Sequence, residues 1–390
     1  MNPRRRAWLH RLAALPLLAG GAPAGAAPDD DSDRGIRRGR PLIFPRDHGA
    51  HTGTRTEWWY VTGWLSPDGQ PVPTHGFQVT FFRSRTQAAG GAASAPGRFA
   101  PNHVLFAHAA LTDLGARRHL HAQRIARWNG DPRPAPAGNP DRAALADADV
   151  RLARWHLARD PASDPAASRW TSTVHAEGFA LQAQMTADAP PLRQGDAGFS
   201  RKGPDERQAS HYYSLPQMRT RLDLELDGRR VALRGRAWLD HEWSDELLHP
   251  EAVGWDWIGI HLLDGGALTA FRLRRADGST LWAGGSLRRA AAGPAAEAVR
   301  AFTPQEVQFT PGRTWRSPAT HAAWPVQWTV QTPAGRHTVR ALLDAQELDG
   351  RAGTGTVYWE GLSELLDEGG RRVGLGYLEM TGYAAPIRLG

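Results

Sequence analysis

The 390-residue sequence predicts an all-β protein assembled from antiparallel units in tandem. Three observations carry this. Short runs of alternating hydrophobicity are frequent while helical periodicity is scarce, turn-forming residues punctuate those runs, and one Trp-rich strand–turn–strand pattern occurs twice.

The first residues predict a removable leader. Arg4, Arg5, Arg6 and Arg11 form a positive region, Leu12 to Ala22 is a short apolar run, and Ala24-Gly25-Ala26 supplies small residues for cleavage. Arg5-Arg6-Ala7-Trp8-Leu9-His10 fits the twin-arginine export pattern. The expectation is a signal peptide over 1–26, a solvated neck over 27–40 and a periplasmic location.

The hairpins follow. Phe77, Val79 and Phe81 alternate with polar neighbours, as do Val326, Trp328 and Val330 before Pro333-Ala334-Gly335. Leu222, Leu224 and Leu226 alternate with Asp223 and Glu225, and Asp227-Gly228 turns the chain into Val231 and Leu233. Gly-, Ala- and Pro-rich stretches at 85–101 and 129–140 read as surface loops. Trp58-Trp59-Tyr60 leads through Asp68-Gly69 to Phe81-Phe82-Arg83, and Trp255-Asp256-Trp257 leads through Asp264-Gly265 to Phe271-Arg272. That echo suits tandem barrels, here bounded at 41–230 and 231–390.

Composition excludes several functions. No cysteine means no disulfide and no thiolate metal site. The net charge of +7 (47 basic less 40 acidic residues) drops to +3 once the four leader arginines are removed, and no basic run is interleaved with aromatics as in a nucleic-acid groove. Nothing downstream of the leader is long and apolar enough to span a membrane as a helix. Lys202 is the only lysine.

The densest chemistry is Asp240-His241-Glu242-Trp243, where a strand would send Asp240 and Glu242 to one face and His241 and Trp243 to the other. Trp255-Asp256-Trp257 is expected on the neighbouring strand. Asp240, His241, Asp256 and Glu242 are the catalytic candidates. Trp243, Trp255, Trp257, Trp59, Glu57 and His48 are the ligand-binding candidates. A second cluster of Asp47, His48, His51 and Glu57 lacks a recognised metal spacing such as His-Glu-x-x-His, so no metal and no other cofactor is expected. Ser200 lacks the Gly-x-Ser-x-Gly setting of a hydrolase nucleophile.

Phe44-Pro45-Arg46-Asp47-His48-Gly49-Ala50-His51, Thr56-Glu57-Trp58-Trp59-Tyr60, Phe106-Ala107-His108-Ala109-Ala110-Leu111-Thr112-Asp113, Asp240-His241-Glu242-Trp243 and Tyr358-Trp359-Glu360-Gly361 resemble motifs of the AttH and carotenoid hydratase (CrtC) family of secreted proteins. So do residues 194–203 and 253–257. The resemblance runs from Pro41 to Tyr383. It implies two lipocalin-like barrels with a pocket for an apolar, isoprenoid- or lipid-like ligand. It also implies acid catalysis of hydratase or hydrolase type, in which a carboxylic acid protonates an alkene and indole faces shield the cation. His241 and Trp243 are similar to the hydratases' His-x-Trp element. Their Tyr-x-Asp element, expected near Gly265 to Leu273, has no carboxylate here. The alternative expectation is a non-catalytic periplasmic carrier, or an accessory to an inner-membrane transport or lipid-handling system.

Overall fold

The computed structural model describes residues 35–67, 72–86, 101–131, 141–164, 167–246, 248–290, 299–351 and 355–387. The predicted leader and most of both loops at 85–101 and 129–140 lie outside these residues, as does the Asp68-Gly69 turn. Among the described residues no helix is long and apolar enough to cross a membrane.

The chain is all-β. Strands β1 (Thr56–Ser66), β2 (His75–Arg85), β3 (His103–Asp113) and β4 (Arg118–Trp128) form an antiparallel meander. Five shorter strands follow: β5 (Arg142–Ala143), β6 (Asp149–Leu152), β7 (Trp155–Arg159), β8 (Ser168–His175) and β9 (Phe179–Ala187). Then come β10 (Leu192–Arg193), β11 (Phe199–Arg201), β12 (Ala209–Leu226) and β13 (Arg229–Ser244). These thirteen make one sheet, ordered β4-β3-β2-β1-β13-β12-β9-β8-β7-β6-β5, with β10 and β11 beside β12. Its two ends meet where β3 and β4 contact β6, so the sheet nearly closes into a barrel.

A second sheet takes β14 (Gly254–Leu262), β15 (Ala267–Arg274), β16 (Thr280–Arg288), β17 (Val299–Phe302) and β18 (Gln308–Pro311). A small ribbon of β19 (Thr314–Arg316) and β20 (Ala323–Pro325) intervenes. The sheet is completed by β21 (Gln327–Thr332), β22 (Gly335–Ala341), β23 (Glu347–Asp349), β24 (Val357–Leu366) and β25 (Arg372–Thr381), in the order β17-β16-β15-β14-β25-β24-β22-β21-β18 with β23 on β24. Each sheet curls round its own core. Trp59, Phe77, Phe81, Trp155 and Trp170 fill the first; Trp324, Trp328, Trp359 and Ile260 fill the second. Each buried indole withdraws roughly 150–250 Å² from water, which explains how short strands gain enough apolar burial to hold.

The Asp227-Gly228 hairpin forms as expected. Both residues have positive φ (50° and 74°), the conformation a two-residue turn needs to match strand twist. Leu222 and Leu224 point into the core while Asp223 and Glu225 face water. The change from first to second sheet, however, falls between Ser244 and Gly254, not at the expected boundary of 230/231. The reason is the turn itself: a two-residue loop returns the chain beside the strand it left, so Arg229–Ser244 stays in the first sheet, between β12 and β1. Strand β14, expected beside β13, does not pair with it; it belongs to the facing sheet, between β15 and β25.

The two barrels pack sheet against sheet, with a third apolar cluster at the junction that includes Tyr60, Trp238, Trp257, Phe271, Leu362 and Tyr377. Close approach depends on Gly76 of β2, where a Cβ would stand 2.7 Å from the Tyr377 hydroxyl. Polar tethers fix the pairing. The Gln194 amide donates to Ser214 (2.8 Å) and Thr269 (3.2 Å) and accepts from Ser286 (2.7 Å), while the Gln217 amide donates to the carbonyls of Leu262 and Gly266.

Candidate active-site cleft between the barrels

The registers of β1, β12 and β13 sort the candidate residues onto two faces. Trp58 pairs with Glu242 and Tyr60 with Asp240, while Tyr212 and Ser214 oppose the same two carboxylates from β12. These side chains point out of the first barrel, toward the second. Glu57 pairs with Trp243 and Trp59 with His241, and these point into the first barrel. The strand alternation expected for Asp240 to Trp243 is therefore present, and it splits the catalytic candidates.

The inward set forms a closed network. Glu57 accepts from Arg83 Nε at 2.8 Å and contacts His51 Nδ1 (2.7 Å) and His241 Nε2 (3.0 Å) through Oε1. His51 Nε2 meets Asp47 Oδ1 at 3.0 Å, and Arg40 clamps both Asp47 oxygens. His48 Nδ1 lies 2.6 Å from the Tyr213 hydroxyl, and the Trp59 indole donates to the His48 carbonyl. Trp243 stacks on His51 with ring centroids 3.7 Å apart. Burial alone would raise the Glu57 and Asp47 carboxyls, but Arg83 with His241 and His51, and His51 with Arg40, hold them well below the usual carboxylate range. One potential ligand atom from each of His51, Glu57 and His241 lies within 4.8 Å of the other two, a donor set that suits a divalent metal. Each is already hydrogen-bonded, and the Arg83 cation compensates Glu57, so the arrangement serves as a lock on the chain that enters β1.

Asp256 repeats this lock in the second barrel. It accepts from Arg272 Nε at 2.7 Å and from the Tyr383 hydroxyl at 2.9 Å, facing away from Trp255 and Trp257 on its own strand. Glu57–Arg83 and Asp256–Arg272 are both directly opposed pairs on adjacent strands. The echo seen in the sequence is thus an echo of buried ion pairs.

The outward set lines a cleft of about 570 Å³ between the sheets. One wall carries Trp58, Tyr60, Phe82, Phe106 and His108 from β1 to β3, with Tyr212, Asp240 and Glu242. The other carries Trp255, Trp257, Phe271, Tyr358, Glu360 and Glu379. Of the sequence candidates, Asp240, Glu242, Trp255 and Trp257 meet here. His241, Trp243, Trp59, Glu57 and His48 lie inside the first barrel and Asp256 inside the second.

Charge in the cleft is unusual. Asp240 is buried, and its Oδ1 accepts from Ser214 (2.5 Å) and the Trp238 indole (2.7 Å). Burial outweighs those bonds and pushes its carboxyl up to about 7. Glu379, bonded by the Trp255 indole at 2.7 Å, is likewise raised to about 7 by burial, and Glu360 is raised well above its ordinary value by burial and by the Glu379 charge. Glu242 is ion-paired: Lys202 Nζ lies 2.8 Å away, and Ser210 donates to it. The same ammonium sits 4.4 Å and 4.9 Å from the ring centres of Phe271 and Tyr212. It also donates to Ser200 at 3.1 Å.

Sequence reasoning missed Glu360, Glu379 and Lys202 as site residues. Two signals pointed to them. Lys202 is the only lysine, and Tyr377-Leu378-Glu379 is a Tyr-x-carboxylate element, placed on the last strand instead of near Gly265 to Leu273. Because β25 pairs with β14, that carboxylate reaches the cleft beside Trp257, its direct cross-strand partner.

The AttH-like family profile matches residues 36–383 of the chain. A crystal structure of a candidate AttH protein (NE1406) from Nitrosomonas europaea is similar at 41% identity, covering 90% of this chain and 99% of that one with a TM-score of 0.77. Kievitone hydratase from Nectria haematococca shares the fold at 14% identity, covering 90% and 96% of the two chains with a TM-score of 0.63. No protein of curated function matches the sequence.

Proposed function

Because the chain belongs to the AttH-like family, we propose that it binds an apolar ligand in the cleft between its barrels and acts on it by acid catalysis. The observation that carries this reading is a buried Asp240, raised to about 7, in a cleft walled by Trp58, Trp255 and Trp257. A carboxylic acid with a pKa near the working pH is suited to donate a proton and take it back. Asp240 gives its proton to one carbon of an isolated alkene, and the indole faces stabilise the carbocation formed at the other. Water then adds to that cation and its surplus proton returns to the Asp240 carboxylate, so that alkene and water become an alcohol. Lys202–Glu242 supplies a fixed dipole at the wall. His241 takes no direct part in this scheme, since it lies behind the sheet.

Hydrogen bonds from Ser214, Trp238 and Tyr212 to Asp240 favour a second reading, a carrier that holds its ligand unchanged. Both readings place the protein in the periplasm, on the strength of the leader at 1–26, with an inner-membrane transport or lipid-handling system as its partner. Incubation with geranylacetone, an uncharged ketone bearing isolated alkenes, separates them. The catalytic reading predicts a product one water heavier, lost in Asp240→Asn. Binding without any mass gain would leave the carrier.

A further inference from the structure

The polar groups of the cleft fall into two classes. Asp240, Glu242, Lys202 and the Trp255 and Trp257 indoles all have partners within the protein. The Tyr60 and Tyr358 hydroxyls, both ring nitrogens of His108 and Oε2 of Glu360 have none among the described residues. All four of these residues are more than nine-tenths buried and line the same cleft. Leaving such groups unpaired is costly, so a fold that buries several in one place holds them for a partner.

Their chemistry narrows that partner. Tyr358 of the second barrel stacks on His108 of the first, with centroids 5.3 Å apart, so the unpaired groups bridge the two walls. Burial holds His108 neutral, lowering it to about 3, and keeps Tyr60 and Glu360 in their protonated forms. These four residues therefore offer mainly O–H and N–H donors and no cation of their own; of the cations that line the cleft, Lys202 is taken up by Glu242, Arg207 by Asp205, and Arg55 is partnered as well. An anion would find no unpaired counter-charge among these groups, and an ammonium would bring donors against donors. Resting on the proposed ligand-binding role, we infer that the cleft takes an uncharged apolar molecule bearing a carbonyl or hydroxyl oxygen, held by Tyr60, His108, Tyr358 and Glu360, in preference to a pure hydrocarbon.

Four probes with one ring system test this by calorimetry at neutral pH: naphthalene, acetylnaphthalene, naphthoate and naphthylmethyl-trimethylammonium. Acetylnaphthalene should bind roughly tenfold tighter than naphthalene, the value of one well-made hydrogen bond, and both charged probes more weakly than the ketone. Tyr60→Phe and Tyr358→Phe, which keep ring shape, should erase most of that preference while leaving naphthalene affinity unchanged. Equal affinity for naphthalene and the ketone, or tighter binding of either charged probe, overturns the inference but leaves an apolar cleft. Binding of none of the four overturns the ligand-binding role as well.

Discussion

Glu360 of β24 and Glu379 of β25 stand directly opposite one another on adjacent strands, the first buried, the second half-buried, and neither ion-paired among the described residues. Two carboxylates so placed cannot both ionise cheaply, so the pair retains a proton at neutral pH. The first barrel presents Asp240 to the same cleft. Acidic groups that stay protonated, not the histidines, therefore set the chemistry of the inter-barrel space.

That proton retention has a measurable cost. Asp240 and Glu379 titrate near 7 when folded and near 4 when unfolded, so between those values the unfolded chain has lost protons that the folded chain keeps. Their contribution makes stability fall as pH rises from about 4 to about 7 and then level off. Glu379→Gln should match the wild type at about pH 4 and exceed it by roughly 2–3 kcal/mol at about pH 8. Urea unfolding at the two pH values checks this; a constant offset between the curves would contradict it.

The inward locks behave oppositely. Glu57→Gln leaves Arg83 buried without its counter-charge and should destabilise by about 3–5 kcal/mol. Since Glu57 is held below its ordinary value, the wild type's advantage should be fully present above about pH 5 and fade as the medium is acidified. Thermal unfolding of the variant against pH shows whether it does. A loss below about 1 kcal/mol would mean that the pair is not a lock.

Much of this was legible in the sequence. Alternating leucines and Asp227-Gly228 marked a hairpin because strand period and turn chemistry are local properties. The split of Asp240 and Glu242 from His241 and Trp243 followed from the same period. What could not be read was which face each half would meet. Asp256 sits between two tryptophans that line the cleft, yet points into its own barrel toward Arg272. Glu360 and Glu379 could not be placed beside Asp240, because the packing of two sheets that brings them to one cleft joins residues more than a hundred positions apart. The sheet change after Ser244 lies later than the expected boundary at 230/231, because the strand that returns from the Asp227-Gly228 hairpin stays in the first sheet.

Lys202 and Glu242 should behave as one unit. Lys202→Met strands the Glu242 charge and should cost about 3–5 kcal/mol, whereas adding Glu242→Gln should recover much of that loss. A double-mutant cycle measured by urea denaturation gives the coupling. Additive losses would show that the two groups do not depend on each other.

The central claim is that ligand sits between the barrels and not inside either one. Calorimetric titration of acetylnaphthalene into two folded variants separates the two places. Trp257→Leu alters the cleft wall, and Trp59→Phe alters only the interior of the first barrel. Affinity should fall at least roughly tenfold in the first and stay within about twofold in the second. Loss of binding in Trp59→Phe with retention in Trp257→Leu would contradict the account.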